Sequence, residues 1–393
     1  MKILFVTLRA LEINSSVTIS NIGLLKGMIE LGCEVDLLMP YVTKNLIQYD
    51  PVKDVFGELN VLRIEGDVVY ERLVTGKPNK VKKMFVDILR KSFYKLSLHD
   101  NTIRLVNKAD ASMLNEKKYD LVISTSDPKA SHMFVERMIK QGLKYAVWVQ
   151  HWGDPLSIDI TKKTIYPGSY IRFKERQIFS CADLIIYVSP LTKSVQRRVF
   201  PKYKDKMHFI PLPYDMEKVY GKPQNDKFTI GYFGDYSSKT RNIMPLYNFC
   251  AQNANYNLVI AGSSDLSLPG KENITILPRI GQEQINKLEA KCDVLACVCN
   301  KFGTQIPGKL YYYSAANRPI LVILDGEYKG EIKEYLSNYD RFDLCENDSK
   351  SINEKVLELS KTIQIYTPCI DFSSTEIARK LLRLVEDKMQ EMK

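Results

Sequence analysis

Long apolar runs are what this chain of 393 residues most plainly lacks. No stretch approaches the roughly 20 residues that span a bilayer, which excludes integral insertion as a helix. The opening, Met1-Lys2-Ile3-Leu4-Phe5-Val6-Thr7, turns polar too quickly for a signal peptide and reads as a strand. Cysteine is sparse: eight residues in a chain of this length do not make a disulfide scaffold. Cys297 and Cys299 flank a single residue in an apolar strand-like run with no histidine pair beside them, which is poor zinc geometry. Reduced, buried thiols in a cytoplasmic protein are the expectation. Asp-x-Asp is absent, which removes the usual carboxylate clamp for a divalent ion on a diphosphate, so no metal site is expected. No short-period repeat occurs.

What is present is an ordinary globular balance, 45% hydrophobic and 26% charged, long enough for two domains. The net charge of +10 is uneven. From Lys77 to Lys108 nine basic residues face two acidic ones, so this stretch alone holds +7. Within residues 80–96, Phe85, Ile88, Leu89, Phe93 and Leu96 recur at helical spacing among Lys82, Lys83, Arg90, Lys91 and Lys95. Such a segment either lies on anionic lipid as a peripheral contact or turns its apolar stripe to the core and solvates its basic face. No aromatic-interleaved basic motif is present, so nucleic acid is not an expected partner.

Buried strand-like runs alternate with helical patterns. Ile3–Thr7 leads through Asn14-Ser15-Ser16 into a helix ending near Gly32, and Glu34–Met39 closes a βαβ unit. Val61–Ile64, Leu121–Ser124, Tyr145–Val149 and Leu184–Val188 continue a doubly wound α/β domain over residues 1–213. Residues 214–227 are polar and read as a linker. The alternation then restarts with Phe228–Gly234, Asn257–Gly262, Ile274–Leu277, Val294–Val298 and Pro319–Leu324, forming a second domain over 228–373. An amphipathic helix over 374–389 closes the pattern, within a terminal segment 374–393 assigned to the first domain.

Ligands of open α/β sheets bind beyond the carboxyl ends of strands, so the loops there carry the chemistry. In Thr304-Gln305-Ile306-Pro307-Gly308-Lys309, Pro307 suits a first helical turn, Gly308 leaves room beside backbone amides, and Lys309 supplies a cation. Either this is a diphosphate site or Lys309 is a solvated lysine at a helix start. Gly234-Asp235-Tyr236-Ser237-Ser238-Lys239-Thr240-Arg241 sets two more cations after a strand, and Arg279-Ile280 occupies a third strand-end turn where a base can pair with backbone groups. In the first domain, Val147–Val149 runs into Gln150-His151-Trp152-Gly153-Asp154. There His151 either orients a substrate or is a structural histidine, and Asp154 either acts as a base or acceptor contact or caps a turn.

These pieces resemble a GT-B glycosyltransferase, most closely family four of bacterial surface-polysaccharide synthesis. The resemblance is carried by Phe233-Gly234…Arg241-Asn242, Ile306-Pro307-Gly308-Lys309-Leu310 with Ala315-Ala316…Pro319, Cys181-Ala182-Asp183…Val188-Ser189 and Ile210-Pro211-Leu212-Pro213-Tyr214-Asp215. It implies two Rossmann-like domains facing a central cleft, with the last helix crossing back to the first. It further implies a nucleotide-sugar donor, taken as UDP-linked, on the second domain and a saccharide or lipid-linked glycan acceptor on the first, in capsule or lipopolysaccharide synthesis. On this mapping Lys309 and Arg241 meet the diphosphate, helped by Lys239, Gly234 gives it room beside Asp235, and Arg279 and Ile280 read the base. Many members carry two glutamates separated by seven residues; those positions hold Thr304 and Tyr312 here, with Gln305, Pro307 and Gly308 completing the donor loop. The glycine usual before Arg318 is Asn317, and the twin glycine of the first loop, on the acceptor side, is Ser15-Ser16. The expected reaction is metal-independent and, if retaining, needs no protein base. A nucleotide-sugar epimerase of the same fold, or a non-catalytic nucleotide-sugar or glycan binder, are the alternatives.

Overall fold

A computed structural model describes residues 1–42, 49, 57, 59–66, 95–160, 164–362 and 366–393. The basic stretch expected as a helix over 80–96 therefore lies, up to residue 94, outside the described residues. The chain divides into two compact units, Met1–Pro211 with Ser374–Lys393, and Leu212–Ser373.

The first unit is built on seven parallel strands: β1 (Lys2–Val6), β2 (Glu34–Pro40), β3 (Asn60–Ile64), β4 (Lys118–Thr125), β5 (Lys144–Trp152), β6 (Leu184–Tyr187) and β7 (Met207–Phe209). Their order is β3-β2-β1-β4-β5-β6-β7, so the winding reverses between β1 and β4. The unbroken apolar run of β1 follows from burial on both faces. Side chains alternate across a strand, so Ile3 and Phe5 join one core with Leu24, Leu25 and Met28, while Leu4 and Val6 join the other with Phe134 and Trp148. The helices α1 (Ser16–Glu30), α2 (Ala130–Lys140), α3 (Gly168–Phe179) and α4 (Pro190–Val199) connect these strands.

The second unit repeats the plan with β8 (Phe228–Phe233), β9 (Tyr256–Ala261), β10 (Ile274–Leu277), β11 (Val294–Val298), β12 (Ile320–Leu324) and β13 (Asp343–Glu346), all parallel in the order β10-β9-β8-β11-β12-β13. Its helices are α5 (Met244–Gln252), α6 (Gln282–Lys291), α7 (Lys309–Tyr313), α8 (Lys329–Leu336) and α9 (Ser349–Lys361). The reversal falls between β8 and β11.

The final helix α10 (Ser374–Glu391) packs in the first unit, burying Ile377, Ala378, Leu381 and Val385 beside Leu24, Leu25 and Met28. Gly27 permits the approach: a Cβ there would stand 2.0 Å from the Ser374 carbonyl oxygen.

Residues 214–227, read as a linker, lie within the second compact unit and are stitched to it. The Lys218 amide donates to the Ala315 carbonyl at 2.8 Å, and Lys218 pairs with the buried Glu289 at 2.9 Å. Asn317 holds the Tyr220 backbone in both directions, its Oδ1 accepting from the Tyr220 amide at 2.8 Å and its Nδ2 donating to the Tyr220 carbonyl at 2.9 Å. A glycine at 317 has no side chain to do this. The polarity that suggests a tether serves backbone groups that would otherwise lack partners.

Candidate functional site

At the reversal of the second sheet the segments after β8, β10 and β11 bring a set of cations together, and the sequence explains how. The first strand ends on Phe233, whose amide donates to the Tyr313 hydroxyl at 3.1 Å and so ties the strand end to α7. Gly234 follows, and the Lys309 side chain passes directly over it: a Cβ on Gly234 would fall 1.0 Å from the Lys309 Nζ. Only glycine leaves that path open.

Lys309 is half-buried as a residue, but its Nζ is shut away from water and has no hydrogen-bond partner among the described residues. The Nζ stands 5.1 Å from the centre of the Tyr232 ring. Burial first, and then the neighbouring Arg241 charge, push the Lys309 ammonium down to about 7 from an ordinary 10.5. The Asp235 charge offsets this only in part, and a buried cation that no carboxylate contacts directly costs several kcal/mol. The arrangement therefore costs stability in the free protein, and an anion placed beside it would lower that cost.

Arg241 is fixed beside it. Its Nε and Nη2 donate to the Asn300 Oδ1 at 3.1 and 2.9 Å, and its Nη1 donates to the Asp235 carbonyl at 3.1 Å. Asn300 is oriented in turn by donating its Nδ2 to the Gln305 carbonyl at 3.1 Å. Among the described residues only neutral oxygens hold the guanidinium, so these bonds leave its charge uncancelled. Asp235 turns outward, pairing with Arg279 at 2.5 Å and accepting from the Ser263 amide at 2.9 Å. The Arg279-Ile280 turn is thereby braced against the loop after β8.

The structure thus gathers Gly234, Asp235, Arg241, Arg279 and Lys309 at one strand-end cluster. Thr304 is buried and Tyr312 half-buried on either side of the Pro307-Gly308 turn. Lys239 is set apart: it is exposed on the turn held by Asp265, and its charge acts on that carboxylate. The helix expected after Pro307 is only five residues long, so its dipole adds less than the two side-chain charges. Asn300, Tyr232 and Tyr313 were not singled out from the sequence. Asn300 was the legible one, the first polar residue after the apolar run of β11.

In the first unit, His151 lies near the end of β5 and is almost fully buried; burial pushes its imidazole down to about 4, so the ring is neutral at pH 7. Asp154 is half-buried just beyond, and its charge helps keep the buried Lys129 protonated. Lys129 itself pairs with Asp127 at 2.8 Å and Asp159 at 3.0 Å. Ser15 caps α1, its Oγ accepting from the Thr18 amide at 3.2 Å, and Ser16 is the exposed first residue of that helix. Among the described residues no cluster of three His, Cys, Asp or Glu side chains is arranged to hold a metal ion, and no helix is long and apolar enough to cross a membrane.

Two Rossmann-like parallel sheets in one chain, each with its reversal beside its first strand, define an α/β protein of GT-B fold. Solved structures share it along nearly the whole chain. Sucrose-phosphate synthase from Thermosynechococcus elongatus superposes with a TM-score of 0.61 at 14% identity, over 100% of this chain and 97% of that one. A glycosyltransferase from Rickettsia africae gives 0.59 at 12%, over 99% and 98%. A putative UDP-N-acetylglucosamine 2-epimerase from Listeria monocytogenes gives 0.51 at 11%, over 99% and 97%. At these identities the likeness is one of fold. No protein-family model matches the chain, and no curated protein matches it.

Proposed function

We propose that the protein is a glycosyltransferase that binds a nucleotide-sugar donor, UDP-linked, on its second unit and transfers the sugar to a saccharide or lipid-linked glycan acceptor of capsule or lipopolysaccharide synthesis. The observation that carries this reading is the buried, unpartnered Lys309 ammonium beside Arg241 at the reversal of the second sheet. An ammonium and a guanidinium converging there match the two charged phosphates of a nucleoside diphosphate.

The chemistry follows from charge development. As the bond between the sugar C1 and the β-phosphate oxygen breaks, negative charge builds on the departing diphosphate. Lys309 and Arg241 are already in place to receive it, and preorganised charge of this kind lowers a barrier without reorganisation. A new bond forms between C1 and the acceptor oxygen. In the retaining course proposed here, the acceptor proton passes to the leaving phosphate oxygen. The neutral His151 then serves as a hydrogen-bonding, orienting group rather than an acid. Asp154 is assigned to the acceptor, and the Arg279-Ile280 turn to the base. Two fixed cations take the role a divalent ion plays elsewhere, so transfer is metal-independent.

The test is nucleotide release from a panel of UDP-sugars by the purified full-length chain, with and without saccharide acceptors. Release that depends on acceptor supports transfer. An altered sugar formed without acceptor identifies an epimerase, and tight binding with no turnover identifies a binding protein. Either of those outcomes overturns the proposal.

A further inference from the structure

The outward face of α3 in the first unit is apolar and cationic at once. Burial of Glu175, Ile178 and Phe179 turns the opposite side of this helix to solvent, and that side carries Tyr170, Arg172, Phe173 and Arg176. Tyr170 in the first turn and Phe173 one turn on are 38% and 43% exposed, and a contiguous exposed apolar patch of this kind marks an interaction surface. They are organised rather than scattered: the Lys174 Nζ lies 5.7 Å from the centres of both the Tyr170 and Phe173 rings, and the Arg176 guanidinium 5.4 Å from the Phe173 ring. The patch extends beyond the helix. Ile165, which is 64% exposed, donates its amide to the Lys95 carbonyl at 3.2 Å, which brings Leu96, 58% exposed, alongside. At the other end Arg176 shares a cavity of 420 Å³ with Lys202 and the exposed Val199.

Charge decides what covers it. From residue 160 to 182 the only acidic residue is Glu175, which is fully buried, so α3 presents no carboxylate to the outside. On the turn beyond Lys202, Asp205 is matched by Arg197 at 3.9 Å. A protein surface complementary to this face would need its own acidic rim around an apolar centre; an anionic bilayer offers both everywhere. Aromatic and aliphatic side chains enter the acyl boundary while Arg and Lys meet phosphates, the arrangement of an interfacial anchor.

We infer that the α3 face, with Leu96 and Ile165, seats the protein on an anionic phospholipid bilayer, the cavity beside Arg176 and Lys202 taking a headgroup phosphate. This does not depend on the proposed transfer reaction.

The experiment uses the full-length protein with vesicles of phosphatidylcholine alone and of phosphatidylcholine with phosphatidylglycerol. Partitioning is expected on the anionic vesicles and is expected to fall with salt. Each cation removed weakens it about fivefold, so Arg172→Gln with Arg176→Gln lowers it by about 25-fold, and Tyr170→Ser with Phe173→Ser by about tenfold or more. These side chains are exposed, so unchanged thermal unfolding confirms that the variants fold. Both native tryptophans, Trp148 and Trp152, are fully buried, so the emission of a Phe173→Trp variant reports the surface and is quenched by brominated acyl chains if the face inserts. Wild-type partitioning by both double variants, or no quenching at Phe173→Trp, overturns the inference. So does a dimer in sedimentation velocity that the same variants dissociate without changing lipid binding, because that result assigns the face to a second copy of the chain.

Discussion

Lys309→Met distinguishes an anion receptacle from an ordinary buried lysine, because the two demand opposite behaviour of the free and bound protein. With the Lys309 ammonium held down to about 7, about half of the molecules carry a neutral amine at pH 7, and about nine in ten at pH 8. A diphosphate beside it restores the charged form, so binding UDP takes up about 0.5 proton at pH 7 and about 0.9 at pH 8. Calorimetric titration in buffers of different ionisation enthalpy reads that uptake directly. Affinity weakens by up to about tenfold per unit above pH 7. Methionine keeps the length of the stem and drops the charge. Loss of a charge-assisted hydrogen bond costs about 1.5–3 kcal/mol, so UDP binds about 10- to 150-fold more weakly, and the proton uptake vanishes. In the free protein the direction reverses. The folded value lies below the unfolded value of 10.5, so the unfolded chain holds more protons across that window and wild-type stability rises with pH from about 7 to 10.5. Below pH 7 the wild type bears the full cost of the buried charge, on the order of a few kcal/mol. Lys309→Met is therefore more stable than wild type at pH 7 by several degrees in Tm, a margin that closes toward pH 10.5. Unchanged UDP affinity, absent proton uptake in the wild type, or a variant that melts earlier at pH 7 refutes this reasoning.

The remaining predictions address the same framework from other sides. Gly234→Ala puts a methyl 1.0 Å from the Lys309 Nζ and must evict it, weakening UDP binding by about tenfold or more yet adding little to Lys309→Met; calorimetry on both backgrounds reads this coupling. Burial raises the Glu175 carboxyl to about 7 from 4.5 although the Leu156 amide donates to it at 2.8 Å. The folded state thus holds the extra proton, and stability is lost as pH climbs from about 4.5 to 7; Glu175→Gln flattens that slope in denaturant titrations, and an unchanged slope refutes the assignment. Gly27→Ala forces a Cβ to within 2.0 Å of the Ser374 carbonyl oxygen and lowers stability by about 1–3 kcal/mol, read as a smaller denaturant midpoint. Nucleotide release continues in excess chelator because side-chain cations supply the charge; loss restored by Mg²⁺ or Mn²⁺ counts against it.

Most of the architecture was legible because parallel strands buried on both faces must be continuously apolar. The runs Ile3–Val6, Val294–Val298 and Ile320–Leu324 advertise themselves for that reason, and each is a strand. The short edge strands β7 and β13 passed unseen. Met207-His208-Phe209 and Asp343-Leu344-Cys345-Glu346 have too few residues and too many polar ones to show a period, and only the neighbouring strand recruits them. The packing of residues 214–227 was not legible for a related reason: a polar segment looks the same whether it faces water or the backbone of a partner.

The candidate site divides along the same line. Chain order alone placed Gly234, Arg241, Arg279 and Lys309 after strands, and strand ends are where an open parallel sheet leaves room for a ligand. It could not separate Lys239 from Arg241, two residues apart on one loop, because direction belongs to the folded turn: Asp265 faces one and Asn300 the other. Nor could residue identity reveal that Lys309 lies over Gly234 with its ammonium sealed from water, since desolvation arises only when distant segments close around a group. Sequence determined which elements form and where charge is available. Tertiary packing alone decided which of those charges is left uncompensated, and an uncompensated charge is what an anionic ligand binds.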